Sequence, residues 1–297
     1  MFFVLSTGRS GSTTIARALS QVPGVLCKHE PTPTLIEEAK EYVEGRMPRD
    51  QIVALLRETR VPPGGDLCYG ESNYTLAFLA DALVEAFRRA HYIWLVRNGL
   101  NVVASFEHRR TYRGMQNIHG QNMPCGDKVG DMSAERWQAM TPFARCCWRW
   151  SWTNGRIRQV LERADARRFY VRLEDLQDRF DELAGFLGIR SPAAPKVPVA
   201  NAARSAVTRF RYWDSGQRRS FKEICGPLMD DLYPGWKDLF VFGRGQRLRN
   251  ELLAQLSYRR ATGRALRHVG RLVLPPAVRG PFRRLFAGRG LLDYADA

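Results

Sequence analysis

Apolar and polar positions fall into short blocks along this chain, and the blocks predict alternating strands and helices. Phe2-Phe3-Val4-Leu5 is an unbroken apolar run rich in β formers and reads as a buried strand. Ile15-Ala16-Arg17-Ala18-Leu19 places apolar residues at 15, 18 and 19, a helical spacing that stops at Gln21-Val22-Pro23-Gly24. Val25-Leu26-Cys27 is a short strand with Lys28-His29-Glu30-Pro31 at its carboxyl end. Helical pattern runs to Tyr42, with Thr34 and Glu37 spaced as a capping box, and again across Gln51–Thr59. Leu67-Cys68-Tyr69 reads as a brief strand. Thr75 to Arg89 reads as a helix with Leu76, Leu79, Leu83 and Phe87 on one stripe.

His91-Tyr92-Ile93-Trp94-Leu95-Val96 is the clearest buried strand, and a helix follows from Leu100. Between Arg109 and Pro142 the pattern is weak and polar, a long loop with a short helix at Ala134–Ala139. Phe143 to Ala164 is a strong helix whose Trp148, Trp150, Trp152 and arginines read as core packing plus a solvated face. Arg168 to Leu173 is a further strand, and Glu174-Asp175-Leu176 turns into a helix over Phe180–Leu187 stopped at Gly188. Ser191–Pro198 is a proline-rich linker, and Phe221–Leu232 is helical. This alternation predicts an α/β fold with a central, mostly parallel sheet flanked by helices.

The first strand and first helix are joined by an unusual turn. Between Leu5 and Ile15 stand two glycines, one arginine and six hydroxyl residues. A strand, a Gly/Ser turn and a helix start together form an anion cradle, because unpaired N–H groups and the helix dipole point at one spot. Gly8 and Gly11 allow a close backbone approach. Ser10, Ser12, Thr13 and Thr14 supply hydroxyls, and Arg9 supplies a fixed positive fork. The turn lacks the lysine of G-x-x-x-x-G-K-[ST] and is not G-x-G-x-x-G, so an ordinary ATP or nicotinamide loop fits poorly. The same residues would also serve as a plain strand-to-helix turn with no ligand.

Charge sharpens the picture. The 297 residues carry a net +16, with 44% hydrophobic and 26% charged positions, so the chain is globular and suited to an anionic partner. The six cysteines show no metal-ligand spacing, and no metal is expected. No signal peptide or transmembrane run is visible, which predicts a cytoplasmic protein. Residues 244–297 hold twelve arginines, no lysine and three acidic residues, so +9 of the charge lies there. The expected organisation is a domain over 1–243 and a basic amphipathic helical extension over 244–297. That extension suits peripheral contact with a membrane or a partner, and equally a solvated helix capping the domain edge. No nucleic-acid module is recognisable.

A second chemical pattern lies at Arg97 to Ser105. A buried strand ends, an arginine follows at once, and a serine sits eight residues on, in the next helix. Arginine gives bidentate phosphate contacts and serine a directed hydroxyl, so both can converge on one anion.

Thr7-Gly8-Arg9-Ser10-Gly11-Ser12-Thr13 resembles the 5′-phosphosulfate loop of sulfotransferases that use 3′-phosphoadenosine-5′-phosphosulfate (PAPS), in the P-R-S-G-T-T style of the carbohydrate and tyrosylprotein branches. Ile93 to Ser105 resembles the family's 3′-phosphate motif. Tyr170 to Leu176 resembles a later strand and turn, and Cys225 to Leu232 a helix near the domain's end. Arg97-Asn98-Gly99 replaces the usual R-D-P, and Gly8 stands where the family often has proline. The resemblance spans roughly residues 2–240. It implies a P-loop-like sulfotransferase fold, PAPS as donor, and an acceptor hydroxyl or amine, as on a glycan or glycolipid.

The resemblance also implies roles. Gly8, Arg9, Ser10, Gly11, Ser12, Thr13 and Thr14 would hold the 5′-phosphosulfate, and Arg97 with Ser105 the 3′-phosphate. Arg9 would stabilise the leaving oxygen. Glu30 is the expected general base, its pKa raised by burial, with His29 as runner-up or as a turn residue pointing away. Glu71 and Ser72 either line the acceptor pocket or, for Glu71, cap the helix near Tyr74. Two other classes compete: a P-loop-like nucleotide kinase or phosphotransferase, and a non-catalytic protein binding anionic lipid or nucleic acid.

Overall fold

Five strands pair side by side in one sheet, every pair parallel: β1 (Phe2–Leu5), β2 (Val25–His29), β3 (Cys68–Ser72), β4 (His91–Val96) and β5 (Arg168–Arg172), in the order β2-β3-β1-β4-β5. The helices are α1 (Ser12–Leu19), α2 (Ile36–Val43), α3 (Arg49–Thr59), α4 (Ala80–Ala86), α5 (Gly99–His108), α6 (Ala134–Ala139), α7 (Pro142–Arg163), α8 (Phe180–Leu187) and α9 (Ser215–Leu232). This computed structural model describes residues 1–64, 67–113, 123–189 and 209–240. The proline-rich linker at 191–198 and the basic segment 244–297 lie outside the described residues.

The expected α/β architecture is the one the chain adopts. β1 is central, and all four of its residues are buried. On one face Phe2 and Val4 pack with Ile15 and Leu19 of α1 and with Leu176, Phe180 and Leu183 around α8. A parallel sheet covered in this way needs continuous apolar strands, which is why β1 and β4 show no alternation. Parallel strands also need crossovers. From β1 the chain crosses over to β2 on one side, and from β4 it crosses over to β5 on the other. The crevice outside the carboxyl ends of β1 and β4 is therefore the topological switch point, where open α/β sheets bind ligands.

Several local expectations are corrected. β3 runs on through Gly70, Glu71 and Ser72, a stretch whose low β propensity hid it. Gly70 is required there, because a Cβ would lie 2.1 Å from the Phe2 ring. β2 likewise extends through Lys28 and His29. The capping box at Thr34 does not form. Helix α2 begins after Leu35, which is left-handed at φ 54, and the Thr34 carbonyl instead accepts from Asn73 Nδ2 at 3.3 Å. The helix expected over 75–89 is a 3₁₀ turn at Tyr74–Ala77 followed by the shorter α4, and Asn73, not Glu71, caps it by accepting from Thr75 N–H at 2.9 Å. Helix α9 starts six residues before Phe221 and carries Pro227 inside.

Glu71 is instead half of a buried pair. Its Oε2 is 2.7 Å from Arg60 Nε, with the two side chains 0% and 1% exposed. The approach is close but not aligned as a hydrogen bond. Asn73 Nδ2 donates to Glu71 Oε1 at 3.3 Å, and Arg60 Nη2 donates to the Pro33 carbonyl at 2.7 Å. Burial pushes the Glu71 carboxyl up to about 7, while Arg60 and Asn73 pull it down. The pair ties the 31–35 connection to β3 and so fixes the chain just after Glu30. Removing one partner strands the other charge. Arg60→Met is expected to cost about 3–5 kcal/mol in unfolding free energy, read from the urea midpoint, with Arg60→Met/Glu71→Leu recovering much of it.

Candidate anion-binding site

The site is built by the turns that follow β1 and β4. Register sets Val4 beside Ile93 and Leu5 beside Trp94, so the Ser6–Gly11 turn and Arg97 leave the sheet side by side. Arg97 Nη1 donates to the Arg9 carbonyl at 3.0 Å, and Arg9 Nε donates to Ser105 Oγ at 3.0 Å. Two patterns separated by 88 residues thus meet at one place.

The opening turn is shaped from inside. Thr7 Oγ1 and Ser10 Oγ lie 2.7 Å apart, and both hydroxyls donate to the Gly8 carbonyl, at 3.0 and 3.2 Å. Ser10 is therefore spent on the turn itself. Gly8, Arg9 and Gly11 all have positive φ, at 74, 57 and 92. At Gly11 a Cβ would also lie 2.4 Å from Leu173 Cδ1. The first intrahelical bond of α1 runs from Ile15 N–H to the Gly11 carbonyl at 3.0 Å, so the N–H groups of Ser12, Thr13 and Thr14 have no intrahelical partner. Thr14 is itself buried within α1.

His29 does not point away. Its Nε2 lies 3.1 Å from both Ser12 Oγ and Thr13 Oγ1, and 3.7 Å from Glu30 Oε1. Glu30 follows β2 in a left-handed conformation at φ 47, and its N–H donates to the Ser72 carbonyl at 3.1 Å. Its side chain is 37% exposed, so the burial expected around it is missing. Ser72 is buried and donates to the Ser12 carbonyl at 3.0 Å, a scaffold bond and not a pocket lining.

The second turn is held from three sides. Trp150 Nε1 donates to the Arg97 carbonyl at 3.1 Å. Asn98 caps α5 by accepting from Leu100 N–H at 3.0 Å, and its own N–H donates to Glu174 Oε1 at 3.1 Å. Glu174 Oε2 accepts from Tyr233 Oη at 2.9 Å. Gly99 has no room for a side chain, since a Cβ would sit 3.0 Å from the Trp150 ring.

The electrostatics are one-sided. Burial lowers the pKa of Arg9, and the nearby charges of Arg109 and Arg97 lower it further against the pull of Glu30. Burial lowers Arg97 as well, opposed by Glu174. Both remain charged at neutral pH. Three guanidiniums crowd a partly dry crevice, an arrangement that an anion relieves.

Arg109 and Arg149 are the residues that sequence reading missed. Arg109 ends α5, where the pattern dissolves into loop. Arg149 lies on α7 among the tryptophans, only 4% exposed, with Nη2 3.5 Å from the Thr7 carbonyl and its guanidinium 4.4 Å from the Phe106 ring. Its neighbours in sequence are Trp148 and Trp150, so nothing local separates it from core packing. Among the described residues no group of three or more His, Cys, Asp or Glu could hold a metal ion, and no helix is long and apolar enough to cross a membrane.

No protein-family model and no curated protein matches the chain. Among solved structures, a sulfotransferase domain from the curacin biosynthetic pathway is similar at 18% identity, over 64% of this chain and 74% of its own, with a TM-score of 0.39. A sulfotransferase from Alicyclobacillus acidocaldarius is similar at 15% identity, over 76% of this chain and 95% of its own, with a TM-score of 0.40.

Gly11→Ala forces a side chain into left-handed backbone and against Leu173. It is expected to cost about 1–3 kcal/mol, lowering Tm by roughly 2–10 °C in a thermal melt. Adding Leu173→Ala should relieve the clash and leave the backbone strain.

Proposed function

We propose that this chain is a sulfotransferase that moves a sulfuryl group from PAPS to a hydroxyl or amine, with a glycan or glycolipid as the acceptor class to screen first. The observation that carries the reading is the pair of 3.0 Å contacts joining Arg97 to the Arg9 carbonyl and Arg9 to Ser105. A nucleotide with phosphates at both ends asks for two anion sites a short span apart, each with fixed donors. The turn offers unpaired N–H groups at α1, and the crevice beside it offers Arg9, Arg97 and Ser105.

The donor, when bound, supplies an activated S–O bond and a phosphate leaving group. Arg97 and Ser105 would hold its 3′-phosphate and so orient the reacting end. Glu30 would take the acceptor's proton as the acceptor atom bonds to sulfur. The S–O bond to the 5′-phosphate breaks, and its electron pair stays on the phosphate oxygen. Arg9 and the free N–H groups of α1 stabilise that developing charge. Fixed cations and dipoles supply the required electrostatics, following the logic of phosphoryl transfer.

Arg9→Ala and Arg97→Ala are each expected to weaken binding of adenosine 3′,5′-bisphosphate by about 10- to 100-fold in calorimetry, the loss of one charge-assisted contact. Unchanged affinity in both variants ends the sulfotransferase reading. Glu30→Gln should keep that affinity within a few-fold and lower turnover of PAPS by about 10²–10⁴. A fully active Glu30→Gln enzyme would move the base elsewhere.

A further inference from the structure

We propose that Arg149 is a further catalytic residue, the guanidinium that meets the transferred sulfonate at the Gly8 end of the opening turn. The inference rests on the sulfotransferase reading and adds a residue to its site.

Arg149 is a buried cation without an anion. Its Nε has no hydrogen-bond partner, and no carboxylate pairs with it among the described residues. It lies 3.5 Å from the Thr7 carbonyl and 4.4 and 5.9 Å from the Phe106 and Tyr74 rings, with Tyr112 and Cys146 also close enough to act on its charge. The equally buried Arg60 has Glu71 at 2.7 Å. A desolvated guanidinium with aromatic faces, one long carbonyl contact and no paired carboxylate among the described residues is short of a counter-charge.

Position says which anion. A Cβ built on Gly8 would lie 3.6 Å from Arg149 Nη2 and 3.5 Å from Tyr74, so both side chains flank the start of the turn. Arg149 also stands over the Tyr74 ring, 5.9 Å from its centroid, so the cation and the phenol lie together against the backbone of the turn. Arg149 meets the turn at Thr7 and Gly8, whereas Arg97 meets it at the Arg9 carbonyl. The phosphates already have partners in Arg97, Ser105 and the α1 N–H groups. In-line transfer sets the sulfonate beyond the leaving phosphate, and we place it at the start of the turn, where Arg149 Nη2 reaches Thr7 and Gly8.

Arg149 gives and takes no proton. The acceptor atom bonds to sulfur, its proton passes to Glu30, and the S–O bond to the 5′-phosphate breaks with its electrons left on that phosphate. The Arg149 fork balances the charge on the sulfonate oxygens throughout.

The test compares two nucleotides that differ by the sulfonate. Arg149→Met removes the charge and keeps apolar bulk. It is expected to bind adenosine 3′,5′-bisphosphate within a few-fold of wild type, to bind PAPS about tenfold or more weakly, and to lose kcat, with Arg149→Lys recovering part of each. An unchanged ratio of the two affinities overturns the assignment, and so does an equal loss of both, which would mark a scaffold for the turn. If Arg149→Met shows no cooperative unfolding, the same ratio is read on Arg149→Lys, where a value equal to wild type overturns it. Wild-type protein that binds neither nucleotide removes the sulfotransferase reading itself, a result distinct from a wild type that binds both while the variants keep its ratio.

Discussion

The contact from the Arg97 guanidinium to the carbonyl of Arg9 is the constraint on which the crevice depends. It exists because β1 and β4 are neighbours in parallel register, so the turns after Leu5 and Val96 leave the sheet at the same level. It also ties a cation to the backbone of the turn that carries a second cation. That is an unfavourable neighbourhood in a half-dry crevice, and Arg109 adds to it. The fold holds this repulsion in place with bonds to neighbouring groups, and Glu174 offsets part of it at Arg97. Trp150 holds the Arg97 carbonyl, and Glu174 grips the Asn98 N–H and Tyr233, not the guanidinium fork itself. An arrangement that fixes Arg9 and Arg97 while leaving their forks without a hydrogen-bonded carboxylate favours binding of an anion.

The same logic separates arginines that pair with carboxylates from those that do not. Arg60, Arg156 and Arg158 face carboxylates at ion-pair distance. They hold elements together, and their charges are spent. Arg9, Arg97 and Arg149 bond instead to carbonyls or a hydroxyl. Net charge of +16 raises the local concentration of any polyanion, and these last three positions add burial and a fork without a hydrogen-bonded carboxylate.

Much of the fold was legible from apolar runs. β1, β4 and the helices at 134–139 and 180–187 follow the pattern closely. What escaped was whatever depends on distant partners. Gly70-Glu71-Ser72 does not look like strand, because Gly70 is there for the Phe2 ring and Glu71 for Arg60, both remote in sequence. Thr34 and Glu37 have capping-box spacing, yet Asn73 takes the Thr34 carbonyl and the helix starts later. In the site, residues on the two strand-to-helix turns could be named from local pattern. Arg149 could not, since its meaning lies in the absence of a carboxylate around it, a property of the assembled core. Its only sequence signal was an arginine on the apolar side of a helix otherwise lined by Phe143, Cys146, Trp150 and Ile157.

The choice between Glu30 and His29 turns on what each has free. His29 Nε2 already lies within reach of two hydroxyls, Ser12 and Thr13, which sit at the first turn of α1. A nitrogen so occupied orients the hydroxyls that face the helix N-terminus, and it would have to give up both contacts to accept an acceptor's proton. Glu30 has no such engagement. Its backbone is held left-handed at φ 47 by the bond to Ser72, a conformation that disfavours most side chains by about 1–2 kcal/mol. The carboxylate lies beside His29 and is partly exposed. His29 Nε2 lies 3.7 Å from Glu30 Oε1, so in the proposed reaction the imidazole would help position the more exposed carboxylate that takes the proton.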